Sequence, residues 1–191
     1  MPASERRARE KDLRQQRIIT AARQLAEAEG WDAVTTRRLA DAIEYTQPVL
    51  YGHFQNKDAI IQAVAVQGFA ELTAAMRAAR RQARAPQAAL LALARAYLTF
   101  AQTNPALYEA MFALADLPFA RRERPAPLSE GFAELAQALA PFTGEQDLET
   151  FTEVAWSALH GLAALTGSGR LRPGRDRQRL TLLIRQLAGG D

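Results

Sequence analysis

The segment 35–58, TTRRLADAIEYTQPVLYGHFQNKD, constrains the fold more than any other part of the chain. Two short apolar-periodic stretches, around Leu39 and around Leu50, are separated by a break of a few polar residues. Thr46 is a suitable N-cap for the second stretch. Pro48 falls in its first turn, where a missing N–H is harmless. Two short helices joined by a tight turn predict a helix-turn-helix.

A helix-turn-helix of this length cannot bury enough apolar surface alone, so a supporting helix is expected. The preceding segment runs from about Glu10 to Gly30 and ends as helices often do, at a glycine. Within it Ile18, Ala22 and Leu25 recur at helical spacing. The sequence therefore predicts a three-helix head.

The polar residues of the head suit contacts with DNA. In a helix-turn-helix the second helix enters the major groove and the first crosses the backbone. Gln47 can bond adenine in a bidentate way, and Thr46 can bond a base or a phosphate. Each residue also has a simpler explanation as a cap, a packing residue or a solvated side chain. As a set, the expected DNA-binding residues are Thr35, Thr36, Arg37, Thr46, Gln47, Tyr51, His53 and Lys57.

Basic side chains crowd the first residues of a chain whose net charge is only +3. Residues 1–9 lack apolar periodicity and are expected to form a flexible basic arm, with a helix starting near Glu10. Such an arm can lie along a phosphate backbone or enter a minor groove. It can equally be a solvated terminus, and charge alone does not decide between these interpretations.

Residues 17–60 resemble the N-terminal domain of the TetR family of bacterial transcriptional regulators. The resemblance is carried, in order, by Arg17-Ile18-Ile19, Ala21-Ala22, Leu25, Gly30, Thr35-Thr36, Leu39-Ala40, Leu50-Tyr51, His53-Phe54 and Lys57-Asp58. It implies an all-α homodimer of about nine helices. It further implies a DNA-binding domain at 1–56 for a palindromic operator, and a ligand-binding and dimerisation domain at 57–191.

Two positions depart from the family pattern. Glu44 stands in the turn where the family usually has glycine, and Pro48 stands where glycine is common. If the backbone at Glu44 needs a positive φ, the glutamate costs about 1 kcal/mol or more. Either the turn is built differently or it is strained. Glu44 thus supports an alternative function, an all-helical small-molecule binding protein whose head has a weakened or lost affinity for DNA.

Long apolar helices follow the head. The first is expected from Ala59 to about Arg84 and, as one continuous helix entering the next domain, can act as a lever. Aromatic residues beyond it either fill the core or line a pocket for a small hydrophobic ligand. The candidate ligand-binding residues are Tyr97, Phe100, Tyr108, Met111, Phe112, Phe132, Trp156 and His160.

The last two predicted helices, near 144–167 and 176–187, are apolar on more than one side. Such a pair can serve both its own core and a twofold partner. The expected dimer interface contains Phe151, Ala158, Leu162, Leu180, Ile184 and Leu187. The segment from Trp156 to Leu162 also resembles one found in a subgroup of TetR C-terminal domains.

Several functional classes lack support in the sequence. There is no cysteine, and the two histidines, His53 and His160, lie far apart, so neither a metal site nor a cofactor is expected. We find no phosphate loop, HExxH or GxSxG motif, so we do not expect an enzyme. No 18-residue apolar run and no signal segment are apparent, which favours a cytoplasmic protein without a membrane span. The predicted function is a DNA-binding transcriptional repressor, released by a small hydrophobic ligand.

Overall fold

The computed structural model describes residues 3–118 and 125–189, and in these ranges the chain forms nine α-helices and no strand. The predicted all-α fold with about nine helices is confirmed. The helices are α1 Ala3–Glu29, α2 Thr36–Ala42, α3 Gln47–Tyr51, α4 Lys57–Arg81, α5 Pro86–Thr103, α6 Pro105–Glu109, α7 Ala126–Leu139, α8 Leu148–Gly167 and α9 Asp176–Leu187.

Contacts divide the chain into two compact units. The head unit comprises Met1–Gly68 and Asn104–Pro118, and the bundle unit comprises Phe69–Thr103 and Phe119–Asp191. The division falls within α4, and the segment that contains α6 belongs to the head unit. The expected division between residues 56 and 57 concerns function, and it stays a prediction.

Helix α1 begins at Ala3, so the expectation of a helix start near Glu10 is wrong. Residues 3–9 read ASERRAR and contain neither glycine nor proline. Alanine, arginine and glutamate are strong helix formers, and extending an existing helix by one residue is far easier than nucleating one. The packed part of α1, which starts at Ile18, therefore propagates toward the N-terminus without needing apolar periodicity.

The core of the head unit lies where α1, α2 and α3 meet. Ile18 and Ala22 of α1, Leu39 of α2 and Leu50 of α3 are all buried. Since α3 has only five residues, burial of Leu50 rather than helix length holds it in place.

In the bundle unit α5 packs against α7, α8 and α9, and α7 packs against α8. Asp147 caps α8, because its Oδ1 accepts a hydrogen bond from the Thr150 N–H at 2.8 Å. Leu180 and Ile184 of α9 are only 4% and 2% exposed. They are therefore core residues of the protomer, contrary to the expectation that they lie in a dimer interface.

Helix α4 has a window that is long and apolar enough to cross a membrane, contrary to the expectation that no such stretch exists. Length and composition alone are weak support for a membrane span, because a core helix of a globular domain passes the same test. Ile60, Val64 and Ala65 are buried within the head unit, and Leu72 and Met76 are also buried. Half of the apolar window is buried inside the protein, as in a core helix of a globular domain.

Candidate functional site

The turn between α2 and α3 is built around Glu44, whose φ is +58°. The Glu44 N–H bonds the Asp41 carbonyl at 3.4 Å, and the Tyr45 N–H bonds the Ala40 carbonyl at 2.9 Å. This pair of bonds is a Schellman motif with Glu44 in the left-handed position that glycine usually takes. The turn is thus of the ordinary type, and the strain predicted at Glu44 is present.

Helix α3 presents most of its side chains to solvent. Gln47, Pro48 and Val49 are exposed, and Tyr51 is 53% exposed. Leu50 points the other way, into the core. Burial of one side chain therefore fixes the helix, while its polar groups stay accessible to a partner.

Thr46 and Thr35 precede α3 and α2, and their side chains differ in role. Thr35 Oγ1 accepts a hydrogen bond from the Arg38 N–H at 3.2 Å, so it caps α2. Thr46 makes no capping bond with its side chain, and it is exposed. The capping bond expected from the sequence is therefore not formed by this side chain, and a contact of its hydroxyl with a base or a phosphate stays a prediction.

The start of α2 holds two adjacent arginines with different surroundings. Arg37 is exposed. Arg38 binds both carboxylate oxygens of Glu29, at 2.6 and 2.8 Å, and so joins α2 to the end of α1. The Arg38 guanidinium lowers the pKa of Glu29 by donating these hydrogen bonds. Of the two arginines, Arg37 is therefore the one that a phosphate can approach. Thr36, the first residue of α2, is half-buried.

Lys57 has a structural partner that sequence reasoning missed. Its Nζ donates a hydrogen bond to the Trp31 carbonyl oxygen at 2.5 Å, and the side chain is half-buried. The ammonium thus joins the start of α4 to the turn after α1. An ammonium has three donors, so this bond leaves capacity for a phosphate.

His53, just beyond α3, is half-buried, and its Nδ1 is enclosed without a hydrogen-bond partner in the described part of the chain. Burial lowers the pKa of His53, and the positive charges of Lys11 and Arg14 lower it further. At neutral pH the imidazole is therefore uncharged and adds nothing to the positive potential of the head. This environment fits a packing role beside α1 better than a direct phosphate contact.

Three residues at the end of α1 and just after it form hydrogen bonds with the start of α6. Two of them, Arg23 and Glu27, had no role assigned from the sequence. The Glu27 carboxylate accepts hydrogen bonds from the Ala106 and Leu107 N–H groups at 3.1 and 3.0 Å. Arg23 donates to Asn104 Oδ1 at 2.8 Å. Trp31 Nε1 donates to the Ala106 carbonyl at 2.8 Å.

We call these bonds the α6 clasp. Glu27 acts in it as an N-cap supplied by another helix, since it satisfies backbone N–H groups in the first turn of α6. The partners lie more than seventy residues apart in sequence. The only local signal for them was Asn104-Pro105, a combination that restarts a helix.

Helix α6 also approaches α4 closely, at Gly68. A methyl group added at Gly68 would lie 2.6 Å from Met111 Sδ and 2.8 Å from Leu107 Cδ1. Met111 belongs to a single π-helical turn, Ala110–Leu114, that continues α6. An added methyl group would therefore force the Met111 and Leu107 side chains to shift, and Met111 is a packing residue of the head unit.

The predicted ligand-binding residues divide between the two units. Tyr108, Met111 and Phe112 belong to the head unit, where the Tyr108 and Phe112 rings lie 4.6 Å apart. The bundle unit holds the other members of the set, which are Tyr97, Phe100, Phe132, Trp156 and His160.

In the bundle unit the structure joins Tyr97 of α5 to Trp156 of α8. Trp156 Nε1 lies 3.3 Å from Tyr97 Oη, at hydrogen-bonding distance, and Tyr97 is buried. His160, one turn beyond Trp156, is half-buried, and burial lowers its pKa. These polar groups thus lie within a largely apolar bundle, which is the chemistry expected of groups that orient a ligand.

An open groove of about 560 Å³ lies between the second half of α4 and α5. Its volume is within the range of pockets that hold small molecules. Phe100 is the member of the predicted ligand set that lines it. The other lining residues are Ala75, Ala79, Gln82, Ala83, Ala92, Arg95, Ala96, Thr99 and Thr103. Alanines spaced four residues apart, such as Ala75 and Ala79, are a sequence signal for this groove that was not used, because small side chains on facing helices leave a gap.

Helices α8 and α9 expose apolar side chains that lie outside the expected set of interface residues. Val154 is 59%, Leu165 42% and Leu182 55% exposed. Among the expected interface residues, Phe151, Ala158, Leu162 and Leu187 are half-buried. The helical stripe could not show which apolar positions already have partners inside the protomer, and the dimer interface stays a prediction.

Comparison with known proteins assigns both parts of the chain. Residues 18–64 match the family described as bacterial regulatory proteins, tetR family. Residues 90–187 match the tetracyclin repressor-like C-terminal domain. The first match contains the helix-turn-helix, and the second contains most of α5 and all of α6 to α9.

The regulator YobS of Bacillus subtilis, described as an uncharacterized HTH-type transcriptional regulator, is 36% identical over 98 residues. That alignment covers 51% of this chain and 51% of YobS, so the chain spans about half the length of this relative. The uncharacterized HTH-type transcriptional regulator Rv0681 of Mycobacterium tuberculosis is 29% identical over 164 residues, covering 85% of this chain and 74% of Rv0681.

A solved structure of a protein of unknown function from Rhodococcus sp. RHA1 superposes with a TM-score of 0.76. It covers 92% of this chain and 93% of its own, at 23% identity. At that identity the likeness shows the fold, which agrees with the two family matches. With a helix-turn-helix head of the expected geometry and a C-terminal match over about half of its length, the chain belongs to the TetR family of bacterial regulatory proteins.

Proposed function

We propose that this protein is a DNA-binding transcriptional repressor that a small hydrophobic ligand releases from a palindromic operator. The observation that carries the proposal is α3, whose Gln47 and Tyr51 are exposed while Leu50 fixes the helix to the core. Gln47 would read a base edge, and Tyr51 would bond a phosphate. The contact would be completed by Thr46, Thr35, Thr36 and Arg37. The Lys57 ammonium would bond both the Trp31 carbonyl oxygen and a phosphate of the DNA.

The described features fit a binding protein of the cytoplasm better than an enzyme. The polar groups of the bundle, Tyr97, Trp156 and His160, are paired or enclosed by apolar surface and form no nucleophile–base pair. Repression and ligand response are typical of the family to which the chain belongs. A ligand acts only through its different affinity for two conformations, and a coupling of about 1–3 kcal/mol is usual.

Two elements are suited to carry that coupling. Helix α4 is continuous from Lys57 to Arg81 and contributes to both compact units. The α6 clasp fixes α6 to the end of α1 within the head unit, and α6 follows α5 directly in the chain. A ligand that shifts α5 would therefore load the hydrogen bonds of the α6 clasp.

Glu27→Ala should lower the ligand response while leaving base contacts intact. Glu27→Gln, which keeps an acceptor oxygen, is its control.

The groove between α4 and α5 is the proposed ligand site. Ala96→Leu would fill part of the groove, and Ala88→Leu is the matched control because Ala88 is exposed on the same helix outside the lining. With 1-anilinonaphthalene-8-sulfonate as an apolar probe, the wild type and the Ala88 variant should bind equally. The Ala96 variant should bind several-fold more weakly, and equal binding by all three would remove the groove from the proposal.

The alternative function, a small-molecule binder without DNA affinity, rested on Glu44. Because the turn at Glu44 closes with both Schellman hydrogen bonds, its strain does not open the helix-turn-helix. The family matches likewise do not favour the alternative.

DNA binding is tested with two α3 variants against a duplex recovered from a random-sequence pool. Loss of a bidentate Gln contact costs about 1–3 kcal/mol, so Gln47→Ala should weaken binding about 5- to 150-fold. Tyr51→Phe, which loses one hydroxyl, should weaken it by roughly 5-fold. Gln62→Ala, an exposed glutamine on α4, is the control and should bind like the wild type. Equal affinity in all four proteins would refute the role of α3.

A further inference from the structure

The first four turns of α1 form a helix outside the core of the head unit. From Ser4 to Arg17 every side chain is exposed except Gln15, which is half-buried. Burial starts at Ile18. At 1.5 Å per residue this part of α1 is about 20 Å long. Its exposure leaves it available to a partner, and its charge pattern indicates which kind.

Charge is segregated around this helix. With 3.6 residues per turn, its basic residues fall within an arc of about 200°, and Glu5 and Asp12 fall in the remaining arc. The one acidic residue inside the basic arc, Glu10, lies 4.0 Å from Arg14 one turn away. The basic residues are Arg6, Arg7, Arg9, Lys11, Arg14 and Arg17. We call this surface the basic face of α1.

The basic face lies on the side of the head unit that carries α3. Arg17 Nη1 is 3.5 Å from Tyr45 Oη, in the turn before α3. Lys11 and Arg14 are close enough to His53, just after α3, for their charges to act on it. One contact from this face thus reaches a residue just before the recognition helix, and the charges of two further residues act on a residue just after it. A duplex seated on α3 would therefore pass near the basic face.

The helical form of this segment decides between the two modes of DNA contact that its charge allows. An α-helix with its side chains is about 10–12 Å wide, whereas the minor groove of B-DNA is about 6 Å wide. A flexible arm could enter that groove, but this helix cannot. Phosphates on the outer surface of the duplex remain accessible to it.

We propose that the basic face of α1 binds the phosphate backbone of DNA beside the bases read by α3. This inference rests on the proposed function, because α3 must first place the duplex. The contact is independent of sequence, since phosphates carry no base information. It extends the operator footprint by about 20 Å, or roughly six base pairs at 3.4 Å each, on the flank that α1 reaches.

The salt dependence of affinity measures this contact. Each neutralised phosphate contributes about −0.9 to the slope of log K against log salt concentration. Arg6→Gln/Arg7→Gln/Arg9→Gln removes three charges and keeps a strong helix former at each position. The slope of this variant should be shallower by about 1–3, with equal weakening on specific and scrambled duplexes.

A charge-matched control separates the contact from a general effect of net charge. Arg170→Gln/Arg172→Gln/Arg175→Gln removes three exposed arginines from the bundle unit. Its slope should equal that of the wild type. Trimming the duplex by about six base pairs at each flank should erase the difference between the wild type and the α1 variant.

The outcomes distinguish this proposal from the proposed function. If the wild type binds a selected duplex but the α1 variant has an unchanged slope, or the two triple variants change alike, the basic face is not a phosphate contact. If the wild type binds no duplex even at low salt, the proposed function fails and this inference fails with it. Helix content by circular dichroism confirms that the α1 variant remains folded.

Discussion

At the scale of the residue, the positive φ of Glu44 lowers the stability of the folded protein. A non-glycine residue at φ +58° places its Cβ close to the following carbonyl. The Schellman hydrogen bonds and the packing of α2 and α3 hold the turn in spite of this. Strain that persists in a turn is compensated by the structure around it.

Glu44→Gly should raise the free energy of unfolding by about 1 kcal/mol, because glycine adopts this φ without strain. Urea unfolding of the two proteins measures the difference. Glu44→Gln is the control, since it removes the charge but keeps the Cβ, and it should leave stability nearly unchanged. A gain of equal size in both variants would mean that the charge, not the backbone, carries the cost.

His53 makes stability depend on pH. Burial and the nearby Lys11 and Arg14 lower its pKa in the folded state, below the ordinary value of 6.5. The unfolded chain therefore binds a proton first as the pH falls. The stability contributed by neutral His53 is complete above about pH 6.5 and is lost as the pH falls through its folded pKa.

Unfolding at pH 7.5 and at pH 5.5 tests this, with His53→Gln as the comparison. The variant should lose less stability between the two pH values than the wild type. Burial also lowers the pKa of His160. Both proteins therefore keep the part of the pH dependence of stability that His160 contributes. If the two proteins respond identically to pH, His53 is not a source of the effect.

At the scale of the element, some boundaries follow from local chemistry. Pro86 starts α5, where a missing N–H is harmless, and the apolar spacing of Leu180, Leu183 and Leu187 identifies α9, which was predicted at 176–187. These elements depend on neighbours a few residues away. The positive φ at Glu44 was predictable for the same reason, because a short helix followed closely by another requires a left-handed residue.

Other features of the elements depend on distant partners, so a local pattern could not show them. Glu27 finds its partners in α6, 79 and 80 residues further along the chain. Leu180 and Ile184 belong to a stripe that looked suited to a dimer interface, but α5 covers α9 in the protomer. The start of α1 was missed because helix propensity alone, without an apolar face, extends it to Ala3.

The contact between α4 and α6 is close at Gly68, so a side chain there would have to displace its neighbours. Gly68→Ala should lower the free energy of unfolding by about 1–3 kcal/mol, because the new methyl group overlaps Met111 and Leu107. Gly161→Ala in α8 is the matched control. Nothing lies within 4 Å of its added methyl group in the protomer, so alanine should stabilise that helix by about 0.5–1 kcal/mol. Equal effects at the two glycines would contradict the close approach.

At the scale of the whole molecule, the exposed apolar residues of α8 and α9 suggest how two copies associate. Val154 and Leu182 are more than half exposed, and they lie on the same two helices as the expected interface residues. We propose that they, with half-buried Phe151, Ala158, Leu162 and Leu187, form the twofold interface. A twofold dimer places each patch against its own copy.

Val154→Glu/Leu182→Glu should therefore convert the protein from a dimer to a monomer, because like charges would meet and apolar area would be lost. Sedimentation equilibrium measures the mass. Leu114→Glu is the control, since Leu114 is also exposed but lies in the head unit. A wild type that is already monomeric, or a double variant that remains dimeric, would exclude this interface.

In the proposed mode of DNA binding, two recognition helices read one operator as a twofold pair. Selection of bound duplexes from a random-sequence pool by the full protein is the decisive measurement. We expect an enriched inverted repeat whose half-sites are centred about one DNA turn, roughly 34–36 Å, apart, and Gln47→Ala should abolish its enrichment. Recovery of no preferred sequence by the folded wild type, or of the same sequence by the Gln47 variant, would show that this mode of binding is wrong.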